Sequence, residues 1–120
     1  MKLDIEHLLN MTGQHKSLAV EVLDIFRGQA STWGRMLDAS LPQEQWADAA
    51  HTLKGAALSI GAHSFAEQCA IAETAGRGDP VSRVMAATVL SDVKTGLSET
   101  LDACATAVHH LSMSSGFKAS

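Results

Sequence analysis

Three residues on one predicted helix have the types and spacing needed for chemistry on a side chain: His51, Lys54 and Gly55. An imidazole is a nucleophile and a ligand near neutral pH. Lys54 lies three residues after His51, so its ammonium can reach a group attached to the ring. Gly55 lies one turn away and removes the side chain that would crowd the ring. Because a mid-helix glycine costs roughly 1 kcal/mol against alanine, we expect a compensating function.

The apolar residues around His51 recur with helical spacing and predict one buried stripe, made of Trp46, Ala50, Leu53, Ala57 and Ile60. At about 100° per residue, His51 projects about 160° from the middle of that stripe and is predicted to be exposed. The same outer face is predicted to carry Glu44, Ala47, Asp48 and Leu58. Ala47 and Leu58 put apolar atoms where a lone helix would have polar ones. This pattern predicts a docking surface for a protein that acts on His51.

The segment from His51 to Gly61 resembles the signature of histidine-containing phosphotransfer (HPt) domains of two-component phosphorelays. It has the family's His, Leu, Lys, Gly and two small residues, then a Gly ten positions after the His. The resemblance covers about thirty residues and continues through Phe65, Ala66, Cys69, Glu73, Gly76 and Arg77. One departure is Ala72, where the family usually has a larger aliphatic residue, and this affects packing, not chemistry.

The resemblance implies that His51 accepts a phosphoryl group through Nε2 from a receiver-domain aspartyl phosphate and passes it to another receiver domain. It implies that Lys54 offsets the phosphoryl charge and that Gly55 gives steric clearance. Together with the outer face, it gives a predicted partner-contact set of Ala47, Asp48, Leu58 and Arg77. Family members draw Mg²⁺ from the receiver, so no cofactor or metal is expected on this chain. A hybrid sensor kinase is a further candidate partner.

Other functions remain open from the sequence. A helical adaptor could bind a receiver or another helical protein without phosphotransfer, and the chain could be a module excised from a larger kinase. No P-loop or kinase glycine loop is present, so self-phosphorylation from ATP is not expected. A metal enzyme is disfavoured, because carboxylate-bridged bundle sites need two inward Glu-x-x-His motifs. The chain has one comparable pair, Asp48 and His51, and this histidine is predicted to point outward.

Length and composition limit the number of domains, the class of partner and the location of the chain. The 120 residues predict a single domain, 1–120, and the net charge of −4 argues against nucleic acid as a main partner. No run of 18 apolar residues and no signal pattern occur, so we expect the chain to be soluble and cytoplasmic. The resemblance implies that it acts as a monomer. Cys69 and Cys104 fall on apolar stripes and are predicted to be core residues.

The remaining pattern predicts an all-α fold: an antiparallel four-helix bundle with a short additional N-terminal helix. The predicted helices cover residues 4–9, 14–38, 42–61, 63–75 and 81–112, and residues 113–120 are expected to form a frayed tail. The buried face of the second predicted helix is expected to consist of Leu18, Val22, Phe26, Ala30, Trp33 and Leu37. The buried face of the last predicted helix is expected to consist of Leu90, Val93, Leu97, Leu101, Cys104, Val108 and Leu111. Gly61 and the segment 76–78 are predicted to close the two middle helices.

Three further histidines, His7, His15 and His63, are isolated in the sequence and are predicted to be solvated or capping residues. His109 and His110 are adjacent, so their side chains leave the helix about 100° apart. We therefore expect that these two cannot hold one metal ion from a single helix.

Overall fold

Five α-helices make up the chain in this computed structural model, which describes residues 3–119 and their side chains as far as Met113. The helices are α1 (Ile5–Met11), α2 (Lys16–Gly34), α3 (Gln43–Ser59), α4 (His63–Arg77) and α5 (Arg83–Ala119). No strand occurs between residues 3 and 119. The all-α prediction is therefore confirmed.

Helices α2 to α5 form a four-helix bundle. Each packs against the next one along the chain, and α5 closes the ring by packing against α2, while α1 lies against α2 at one end. The connections between consecutive bundle helices are short, which gives the antiparallel arrangement expected for such bundles. Within the described residues, no helix is long and apolar enough to cross a membrane.

The predicted inner face of α3 is confirmed, since Trp46, Ala50, Leu53, Ala57 and Ile60 are all buried. Burial of a side chain such as Leu53 stabilises the fold by roughly 1.5–3 kcal/mol. No helix of this length is stable alone in water, so the packing of this stripe keeps α3 helical. The opposite face of α3 is thereby fixed relative to the bundle.

Helix α2 differs from its prediction at both its end and its buried face. It ends at Gly34, not at Asp38, in a tighter turn in which the backbone N–H groups of Met36 and Leu37 donate to the carbonyls of Trp33 and Gly34. After this turn, the Asp38 carboxylate accepts hydrogen bonds from the backbone and hydroxyl of Ser40. These hydrogen bonds also lower the pKa of Asp38. The buried residues of α2 are Ala19, Leu23, Phe26 and Ala30, whereas Leu18 is 42% exposed. In the first half of α2 the buried face thus lies one residue further along the chain than predicted, at Ala19 and Leu23 in place of Leu18 and Val22.

Helix α5 carries the predicted stripe except at two positions. Leu90, Val93, Leu97, Cys104 and Leu111 are buried, while Leu101 and Val108 are half-buried and Thr100 and Ala107 take their places. The buried positions from Leu90 to Leu111 thus follow a strict seven-residue repeat, the spacing expected for a helix packed in a left-handed bundle. The helical backbone continues beyond the predicted end at residue 112, as far as Ala119. Fraying of 113–120 stays a prediction, and Ser120 and the side chains from 114 onward lie outside the described residues.

The two cysteines are core residues, as predicted. Cys69 and Cys104 are both buried and unpaired. Burial raises the pKa of the Cys69 thiol to about 12 and that of the Cys104 thiol to about 11. Both side chains therefore stay protonated near neutral pH and act as small apolar residues.

Candidate functional site

The end of α3 is fixed by a Schellman motif around Gly61. Gly61 has a φ of 75°, and the backbone N–H groups of Gly61 and Ala62 donate to the carbonyls of Leu58 and Ala57, at 3.2 and 2.9 Å. The carbonyl of Gly61 accepts a hydrogen bond from the backbone of Asp4, at 3.1 Å. A Cβ at position 61 would lie 2.9 Å from the Cβ of Asp4. Gly61 thus ends the helix as predicted and also joins α1 to it.

His51 lies on the solvent-facing side of α3, with 61% of its side chain exposed. Its Nδ1 is 2.9 Å from Oε2 of Glu73 on α4. A carboxylate only accepts hydrogen bonds, so this contact favours a proton on Nδ1. Nε2 then keeps its lone pair and is the nucleophilic nitrogen of the ring.

Glu73 connects His51 to Lys54. Its second oxygen, Oε1, accepts a hydrogen bond of 2.9 Å from the Lys54 ammonium, and only 17% of the Glu73 side chain is exposed. The hydrogen bond from Lys54 lowers the pKa of Glu73, with a smaller contribution from His51. The carboxylate is therefore ionised at neutral pH, and it holds both the imidazole and the ammonium in fixed directions.

Gly55 faces open space, as the sequence predicts. A Cβ built at this position would meet no atom within 4 Å other than those of its own helix. Lys54 is half-buried beside it, while Leu58 is 48% exposed one turn further along. Lys54 and Leu58 border a shallow depression of about 280 Å³ between α3 and α4. The surface next to His51 is thus unobstructed and partly apolar.

The position of Ala47 differs from the sequence prediction. It was assigned to the outer face with the partner-contact residues, but it is fully buried. The reason is the close approach of α4, because a Cβ at Gly76 would lie 2.6 Å from Ala47 Cβ and 2.8 Å from Trp46 Cζ3. Gly76 is therefore a packing residue inside α4, which ends at Arg77 with Gly78 as its C-cap, within the segment 76–78 predicted to close it.

Asp48 and Arg77, two predicted partner-contact residues, pair with each other across α3 and α4. The Arg77 guanidinium donates to the Asp48 carboxylate at 2.7 Å, and the same nitrogen is 3.7 Å from Oε2 of Glu73. Both side chains remain exposed. They form a charged edge beside His51 on the side opposite Gly55, one turn toward the start of α3.

Gln43 holds the end of α4 in position. Its side-chain nitrogen faces four backbone carbonyls, those of Ala75, Gly76, Gly78 and Asp79, at 3.1 to 3.5 Å. Its side-chain oxygen accepts a hydrogen bond from the backbone of Val81, at 3.0 Å. One amide thus satisfies carbonyls that a helix end leaves without partners. This fixes the turn of α4 that carries Arg77.

Sequence reasoning did not assign a role to Glu73 or Gln43. Glu73 was noted only within the resembling segment, although its spacing of four residues from Arg77 puts both on one helix face. That spacing is the signal that could have brought Glu73 into the site. Gln43 carries no such signal, because its partners are backbone groups more than thirty residues away.

Comparison with known proteins identifies the class to which this arrangement belongs. The Hpt domain family matches residues 21–109, and the chain belongs to that family. It is similar to the crystal structure of the histidine phosphotransferase ShpA from Caulobacter crescentus. The TM-score is 0.78 and the sequence identity 31%, covering 96% of this chain and 98% of that one. No curated protein sequence matches the chain. Family membership and this likeness support a histidine phosphotransfer role in a phosphorelay.

Proposed function

We propose that His51 accepts a phosphoryl group from an aspartyl phosphate of one receiver domain and passes it to the aspartate of another. The observation that carries this proposal is the exposed imidazole whose Nδ1 lies 2.9 Å from a carboxylate, which directs Nε2 to the solvent. The nucleophile is therefore oriented and accessible before any partner binds.

The proposed reaction needs no cofactor on this chain. The Nε2 lone pair attacks phosphorus, the bond between phosphorus and the aspartyl oxygen breaks, and its electron pair returns to the aspartate carboxylate. The proton on Nδ1 stays in its hydrogen bond to Glu73, which balances the positive charge that develops on the ring. The reverse reaction transfers the group to the second receiver, and Mg²⁺ enters with the receiver domains.

Lys54 and Gly55 serve the phosphoryl group and the partner in this proposal. Phosphoryl transfer depends mainly on positioning and charge stabilisation. The Lys54 ammonium, anchored at 2.9 Å on Glu73, lies one turn from His51 and supplies a positive charge for the phosphoryl oxygens. The open space at Gly55 lets the receiver loops approach in line. Leu58 then contacts an apolar partner residue, while Asp48 and Arg77 contact a polar one.

We further propose that the chain acts in the cytoplasm as a monomer and meets its receivers one at a time. A hybrid sensor kinase is one candidate donor. A panel of purified receiver domains, each tested for rapid phosphoryl exchange with the chain, identifies the partners and the direction of net flow.

Labelling from a phosphorylated receiver tests the proposal. The chain is mixed with a receiver domain carrying ³²P, and label that is acid-labile and base-stable is expected on the chain. His51→Gln should take up none. His109→Gln is the matched control, because it removes an exposed histidine from a different helix, α5, and it should be labelled like the wild type. Equal labelling of wild type and His51→Gln contradicts the proposal, because another residue then accepts the phosphoryl group. No labelling by any receiver of the panel also contradicts it and favours a non-catalytic adaptor.

A further inference from the structure

Two histidines outside the phosphotransfer site lie together at the junction of α1 and α4. The rings of His7 and His63 have centroids 5.8 Å apart and an interplanar angle of 65°. His7 is half-buried in α1, and His63 is the exposed first residue of α4. The two histidines are isolated in the sequence but adjacent in the fold, because their contact depends on how α1 docks. His63 is solvated, as predicted, whereas His7 is only partly so.

Apart from their contact with each other, the two imidazole rings make no hydrogen bond with the described residues around them. Among the described residues, no hydrogen bond to either ring is present: His7 interacts with Asp4 through its backbone N–H, at 2.9 Å. His63 does not cap its helix, since the N-cap of α4 is Ala62 and no side-chain cap is present there. The ring nitrogens of both residues are thus free to bind a ligand.

The separation of the rings fits a shared metal ion. With a metal–nitrogen distance of 2.0–2.1 Å, each ring centroid lies about 3.2 Å from the ion. Two such centroids are then ~5.2 Å apart at a tetrahedral angle and ~6.4 Å apart when opposite each other. The observed 5.8 Å lies between these limits.

We propose that His7 and His63 bind a divalent cation of the kind that prefers imidazole, such as Zn²⁺, and that the ion joins α1 to α4. Within the described residues, no cluster of three or more His, Cys, Asp or Glu side chains suited to a metal occurs. Water therefore completes the coordination, and the ion exchanges with solvent, unlike the four-ligand structural zinc sites. Because the ion binds only when α1 is docked, it stabilises the docked state.

The His109–His110 pair provides an internal comparison. These rings have a similar centroid distance, 6.1 Å, and interplanar angle, 64°. They are consecutive residues of α5, however, so their side chains leave the helix about 100° apart. We therefore expect that this pair does not hold one ion between its rings, although its centroid distance lies within the same limits.

Isothermal titration of the full chain with ZnCl₂ at pH 7.5, in a buffer that does not bind zinc, tests the proposal. We expect about one Zn²⁺ per chain, and loss of measurable binding in His7→Ala and in His63→Ala. His51→Gln and the double variant His109→Ala/His110→Ala should bind like the wild type. No binding by the wild type, binding unchanged in His63→Ala, or binding lost in the His109/His110 variant overturns the proposal.

Thermal unfolding gives a second readout, which does not depend on the titration. Zn²⁺ should raise the Tm of the wild type but not that of His63→Ala, whose exposed position makes a folding defect unexpected. Circular dichroism without metal verifies that the variant is folded. An equal rise in Tm for both proteins overturns the proposal.

Discussion

Gly55 and Gly76 lie on neighbouring helices near His51, yet they are glycines for opposite reasons. A Cβ at Gly76 would meet Ala47 and Trp46 at 2.6 and 2.8 Å, so this glycine lets α3 and α4 pack closely. A Cβ at Gly55 would meet nothing within 4 Å, so packing within the chain gives no reason for it. The comparison teaches that a helix glycine indicates an approaching partner only where packing within the chain does not already explain it.

Gly55→Gln should have the largest effect on function. A long side chain at this position would occupy the space through which a receiver approaches, and we expect phosphoryl transfer to be blocked. The fold should be kept, because replacing a mid-helix glycine by a good helix former contributes up to about 1 kcal/mol of stability. If transfer stops while the Tm is unchanged or raised, Gly55 is needed for the approach of a partner and not for packing. Undiminished transfer would show that the space at Gly55 is not needed by a partner.

Lys54→Ala should slow transfer about ten- to one-hundredfold. A hydrogen bond to a charged group contributes about 1.5–3 kcal/mol, and each 1.36 kcal/mol changes a rate tenfold. Rapid-quench measurement of phosphoryl exchange gives the rate, and Lys94→Ala on α5 is a control that removes an exposed lysine elsewhere. A loss of helicity in Lys54→Ala would instead assign the residue a structural role.

Gly76→Ala should destabilise the chain by about 1–3 kcal/mol, the usual cost of overfilling a packed core. Urea unfolding measures the change. Gly28→Ala is the control, since a Cβ at Gly28 in α2 meets nothing within 4 Å and the substitution should stabilise the chain. If both substitutions stabilise, the two kinds of glycine do not differ as proposed here.

Glu73→Gln should have the smallest effect on stability, and one that depends on pH. The pKa of Glu73 is lowered in the folded chain from its ordinary value of 4.5, chiefly by Lys54. The ionised carboxylate therefore stabilises the fold above about pH 4.5, and this contribution is lost as the pH falls through the lowered pKa. A partly exposed pair of this kind contributes about 0.2–1 kcal/mol. Unfolding free energies at pH 7 and pH 3 should thus differ less in Glu73→Gln than in the wild type.

The two faces of α3 could be predicted because a single helical period relates the stripe of Leu53 to the exposed position of His51. The burial of Ala47 could not be predicted, since it depends on how closely α4 approaches α3, and that distance depends on Gly76. Glu73 was missed because its contact with His51 depends on the rotation of α4 about its axis. The early end of α2 depends on a tighter turn directly after Gly34, although the apolar helical pattern continues through it to Leu37.

The length of α5 has a consequence for how the protein behaves in solution. The molecule measures 57 × 21 × 19 Å, and its radius of gyration of 15.7 Å exceeds the ~13.6 Å typical of a compact chain of this size. A single copy of this 12.6 kDa chain diffuses more slowly than a sphere of equal mass. It should leave a gel-filtration column ahead of globular standards, so its mass is better measured by light scattering.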